Sequence, residues 1–99
     1  MFEYSKNNMT RLLQDANSDG EIIDWNGSNY GSLQIFGVFD GATVVVKGSL
    51  DDGDNFTIVK GGVFRDSLIT SFLMAPGKVK AFITGAGAST SITCEISPG

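Results

Sequence analysis

The sequence predicts an all-β, single-domain sandwich of about seven short strands, jelly-roll or immunoglobulin-like, preceded by an N-terminal arm. Three observations carry this expectation. Thirteen glycines against two prolines in 99 residues mark frequent tight turns rather than a flexible linker. Beyond residue 20, apolar and polar side chains alternate with the period of two that puts successive residues on opposite faces of a strand. The alternating runs are separated by glycine-centred turns at the spacing of a sandwich or barrel.

The first twenty residues stand apart from this pattern. Residues 1–8 mix aromatic and polar side chains without a period. The stretch Met9-Thr10-Arg11-Leu12-Leu13-Gln14-Asp15 has the length of about two helical turns, below what is stable in isolation. Residues 1–20 are therefore expected to form an arm with a short helical segment over 9–15. Its large apolar groups, Phe2, Tyr4, Met9, Leu12 and Leu13, should dock on a partner surface, because each stabilises by about 1.5–3 kcal/mol when buried.

Residues 21–99 are expected to form the sandwich, with strands near 21–25, 32–39, 43–50, 55–60, 63–74 (broken), 78–84 and 90–97. Asp40-Gly41 between two apolar runs signals a hairpin with a type I′ turn, where both central residues take positive φ. Asp51-Asp52-Gly53-Asp54 should close the next hairpin, and Pro76-Gly77 and Gly85-Ala86-Gly87 supply later turns. Alternation sends Val44, Val46, Val79, Ala81, Ile83, Ile92, Cys94 and Ile96 inward. Val45 and Phe82 fall on the opposite faces of their strands and are further candidates for an interface. The runs 35–39 and 67–74 are apolar on both faces, the pattern of strands covered on both sides. In a chain this short the second apolar face must be covered by the arm or by another subunit.

Charge and composition narrow the function classes. A net charge of −4, with basic residues scattered from Lys6 to Lys80, gives no electrostatic footprint for nucleic acid or anionic lipid. The N-terminal residues lack the long apolar core of a signal peptide, and no apolar run is long enough to cross a bilayer, so folding in the cytoplasm is expected. A lone cysteine cannot close an internal disulfide. Cys94 shares its strand face with Ile92 and Ile96 and reads as a buried thiol, with Glu95 adding an upward push on its pKa if close.

The chemistry-bearing residues are few. The chain has no histidine, which removes the commonest general base and metal ligand. Asp51, Asp52 and Asp54 share one glycine turn and read as turn formers rather than as a glycosidase pair. Gly85-Ala86-Gly87 precedes a strand and not a helix, so it is not a phosphate-cradling loop. Asp15-Ala16-Asn17-Ser18-Asp19-Gly20-Glu21-Ile22 matches the front of an EF-hand calcium loop, but position twelve is Asn26 where a bidentate Glu is required. A polar turn is the competing reading. No catalytic residue and no cofactor are expected. Trp25 and Tyr30, with nearby Asn residues, are the candidate platform if the domain binds a ligand such as a carbohydrate; the alternative for Trp25 is a core position.

Four segments resemble a known family. These are 36–44 (Phe-Gly-Val-Phe-Asp-Gly-Ala-Thr-Val), 48–56 (Gly-Ser-Leu-Asp-Asp-Gly-Asp-Asn-Phe), 75–81 (Ala-Pro-Gly-Lys-Val-Lys-Ala) and 87–93 (Gly-Ala-Ser-Thr-Ser-Ile-Thr). Together they resemble small all-β proteins encoded in the structural modules of tailed bacteriophages, over about two thirds of the chain. Leu50 stands where the family pattern has a proline, Phe56 carries its aromatic position, and Lys78 and Lys80 stand for its arginines. The resemblance implies a non-enzymatic virion component, such as a capsid decoration or cement protein, made in the host bacterial cytoplasm. It further implies partners such as the major capsid protein and a homo-oligomer, for instance a trimer, with no nucleic acid or membrane contact.

Overall fold

A computed structural model describes residues 9–26 and 30–98. The described chain is all β: β1 (Thr10–Ala16), β2 (Ile23–Trp25), β3 (Tyr30–Val38), β4 (Thr43–Ser49), β5 (Thr57–Phe64), β6 (Leu68–Leu73), β7 (Gly77–Thr84) and β8 (Ser91–Pro98). Two four-stranded antiparallel sheets result, sheet A in the order β1-β8-β3-β6 and sheet B in the order β2-β7-β4-β5. Only the β4–β5 connection stays within a sheet; every other connection crosses to the opposite one. That strand order is the jelly roll, a double sheet of two interlocked Greek keys. It selects between the two sandwich types that alternation alone leaves open.

The sandwich is held by the inward rows of both sheets. Val44 and Val46 of β4, Val79 and Ala81 of β7, and Leu33, Ile35, Ile92, Cys94 and Ile96 of sheet A are all buried, as the period-two reading requires. Trp25 and Phe72 pack edge to face across the two sheets with ring centroids 5.1 Å apart. The Trp25 indole needs room against β3, and Gly31 provides it: a Cβ there would meet the Ser97 carbonyl and lie 3.0 Å from the indole ring.

Residues 10–16 form a strand, not the expected helix. β1 pairs antiparallel with β8, from Thr10↔Ile96 to Ala16↔Ile92, with register shifts on either side of Leu13. The first shift places one extra residue in β1, so Leu12 and Leu13 both turn inward and both are buried. A seven-residue segment has no helical stability of its own, so the open edge of β8 and the apolar core decide its conformation. Leu12 and Leu13 are accordingly members of the domain's own core and cannot serve as docking residues. The sandwich begins at β1 rather than at residue 21.

Asp40-Gly41 also differs from the hairpin expected. The turn itself forms, with φ of 47° and 87° and the Ala42 N–H donating to the Phe39 carbonyl at 2.9 Å. It does not pair β3 with β4, however; it is the corner at which the chain leaves sheet A for sheet B. Asp40 holds the corner to the neighbouring loop by accepting the Ser89 N–H at 2.9 Å, and Thr90 Oγ1 donates to the Phe39 carbonyl at 2.8 Å. The run expected to break within 63–74 breaks at residues 65–67, and β5 continues to Phe64 through an irregularity at Gly61-Gly62.

Candidate functional site

The two outer faces of the sandwich differ in chemistry. On sheet B the outward residues of the central strands are Thr43, Val45 and Lys47 of β4, opposite Thr84, Phe82 and Lys80 of β7. Val45 and Phe82 are half-buried rather than open. The Phe82 ring meets Phe56 edge-on at 6.2 Å, and the ammonium groups of Lys47 and Lys80 each lie 4.9 Å from its centroid. Next along the strand, Lys78 bonds to Asp24 and lies 3.7 Å from Asp52, and Asp24 holds its pKa above the ordinary value. The centre of this face is thus cationic and covered by its own side chains, while Ile58 and Val63 on the neighbouring β5 stay exposed.

Sheet A presents an open apolar face. Outward alternation along β3 exposes Tyr30, Ser32, Gln34, Phe36 and Val38, and β6 adds Ile69, Ser71 and Leu73 beside them. Phe36 is 40%, Val38 52%, Leu73 47% and Ile69 72% exposed. The only ion pair across this face is Arg11 with Glu95 at 3.1 Å among the described residues. A shallow groove in the face is lined by Met9, Ser32, Gln34, Ile69, Glu95 and Ser97. Met9, one of the arm candidates, is half-buried at this groove. Phe2 and Tyr4, the other two arm candidates, lie outside the described residues. The double-sided apolar pattern of 35–39 and 67–74 is this face: one side of each run faces inward, where Ile35, Phe39, Phe72 and Met74 are buried, and the other remains open.

The remaining sequence candidates fall into structural roles. Trp25 is 2% exposed and its indole N–H donates to the Met74 carbonyl at 2.9 Å, so it offers no stacking surface to a ligand. Tyr30 is exposed at the start of β3 without it. Cys94 is fully buried, and burial first, with the Glu95 charge second, pushes its thiol up to about 12.

Within the β4–β5 turn, Asp51 accepts from the Ser49 hydroxyl at 2.6 Å, the Asn55 N–H at 2.9 Å and the Asn55 side-chain amide at 2.7 Å. These bonds, that of Ser49 foremost, hold its carboxyl at about 2 against an ordinary 3.8. Asp52 and Gly53 both take positive φ there, as turn residues do. In the loop resembling an EF-hand, Asp19 Oδ1 accepts the Ile83 N–H at 2.9 Å and Gly20 N–H donates to the Ala81 carbonyl, so the loop is strapped onto β7. Among the described residues no three acidic or cysteine side chains gather where they could hold a metal ion.

The apolar face of sheet A is the feature that sequence reasoning located only indirectly. Its signal was the apolar run on both parities of β3 and β6. What could not be read was that β3 and β6 are neighbours, which is what merges two runs into one surface. No protein-family model, curated protein sequence or solved structure matches this chain. Fold and surface together define it as a jelly-roll domain with one open apolar sheet face.

Proposed function

We propose that the protein is a structural, non-enzymatic component of a tailed-bacteriophage particle, a capsid decoration or cement protein that attaches through the outer face of sheet A. The observation that carries this reading is that face: Phe36, Val38, Ile69 and Leu73 are exposed together on one sheet, and apolar surface gathered on a small domain marks a protein contact site. The jelly roll hosts viral capsid domains and lectins alike, so the fold does not choose between them. The buried Trp25 takes the main aromatic from the carbohydrate reading. The motif resemblance in residues 36–44, 48–56, 75–81 and 87–93 points to the phage context. The major capsid protein is the expected partner, at fixed stoichiometry.

Quantitative mass spectrometry of gradient-purified particles, from cells carrying the corresponding phage genes, tests the reading. A constant copy number per capsid subunit that survives high salt is expected, because the contact is apolar and not electrostatic. Recovery of the chain only in the unassembled fraction would overturn it.

A further inference from the structure

Among the described residues four strands form the sheet edges: β1 and β6 in sheet A, β2 and β5 in sheet B. An edge strand presents a row of unpaired N–H and C=O groups that can template another chain, and monomeric proteins blunt such edges with bulges, charges, short length or proline. Three of these edges are blunted. β1 breaks register twice against β8 and carries Arg11 and Asp15. β2 is three residues long with Asp24 at its centre. β5 carries Lys60, loses register against β4 between Val45 and Lys47, and turns at Gly61 with φ of 71°.

β6 has none of these devices. Its six residues, Leu-Ile-Thr-Ser-Phe-Leu, contain no charge, glycine or proline, and they keep unbroken register with β3 from Tyr30↔Leu73 to Ile35↔Leu68. It also leaves the sandwich unclosed. Leu68 and Thr70 sit across from Ile35 and Leu33, which are fully buried, yet Leu68 is 41% exposed and Thr70 is open to solvent as well. Inward-facing positions that stay wet are positions waiting for cover.

We propose that β6 is a homodimerisation edge, pairing antiparallel with β6 of a second copy about a two-fold axis at Ser71 and joining two A sheets into one continuous sheet of eight strands. The register follows from self-complementarity. Opposed residues of an antiparallel pair share a face, so the axis passes through a residue and not between two. With the axis at Ser71, each Ile69 stands opposite a Leu73 on the outer face, and Thr70 opposite Phe72 and Leu68 opposite Met74 on the inner. With the axis at Thr70, Ile69 would face Ser71 and Leu73 would face Ser67, which wastes the two most exposed apolar side chains of the strand. The Ser71 register makes an isologous contact in which the same strand serves both copies. It also doubles the apolar face described above into a single longer surface. The dimer forms in solution without any particle, so its test is separate from that of attachment.

The full chain carrying Ser71→Cys is the probe. Opposed Cα atoms across an antiparallel pair lie about 4.5–5.5 Å apart, within the roughly 4.4–6.8 Å that a disulfide spans. Mild oxidation should give a covalent dimer in high yield, with buried Cys94 not competing. In sedimentation equilibrium the wild type should be a dimer and Ile69→Lys a monomer at the same concentration. A wild type that is monomeric at hundreds of micromolar overturns the proposal. A dimer that Ile69→Lys leaves intact does the same. Cross-linking by Thr70→Cys in place of Ser71→Cys would overturn the register.

Discussion

Asp51 and Cys94 each turn their surroundings into a measurable property. The Asp51 carboxylate is the hub of the β4–β5 turn, and its folded pKa near 2 lies below the ordinary 3.8. The stabilisation it gives is therefore fully present above about pH 4 and is lost as pH falls through about 2. Melting temperatures of the wild type and Asp51→Asn should differ most above pH 4 and converge towards pH 2; a gap that stays constant down to pH 2 would show that the charge is not what matters. Cys94, with its thiol pushed up to about 12, should resist alkylation at pH 8 in the folded state and react only as fast as the protein unfolds. Rapid labelling of native protein would contradict its burial. Both roles were legible in the sequence, because turn chemistry and strand alternation are local rules. The burial of Trp25 was not decided there, since its partners Phe72 and Met74 lie far along the chain.

At the scale of elements, the sequence misleads where a segment's conformation is set by its partner. β1 does not show a strand's alternation because Leu12 and Leu13 are adjacent, a spacing that an unbroken strand would not bury; the irregularity against β8 is what lets both point inward. Leu13→Ala should then behave as a core truncation and cost about 2–5 kcal/mol in chemical denaturation. An effect below about 0.5 kcal/mol would restore the arm as a separate unit. The Asp40-Gly41 corner teaches a related point. Turn chemistry specified the local backbone correctly, but whether a turn joins paired strands or two sheets depends on which neighbours the flanking strands find, and that information is distributed along the whole chain.

For the whole molecule, alternation was enough to give a sandwich, and only the strand order gives a jelly roll and brings β3 beside β6. The functional account depends on that adjacency, because it sets Ile69 and Leu73 of β6 on the same outer face as Phe36 and Val38 of β3. Sheet B offers an internal control, since Ile58 is about as exposed as Val38 but lies on the lysine-bearing face. The most direct measurement is particle binding by two charge substitutions of matched exposure, Val38→Asp on sheet A and Ile58→Asp on sheet B, each first shown to melt near the wild-type temperature. The account predicts that Val38→Asp reduces co-sedimentation with particles at least tenfold while Ile58→Asp binds as wild type. Loss of binding with Ile58→Asp and retention with Val38→Asp would place the attachment surface on the other sheet and contradict it.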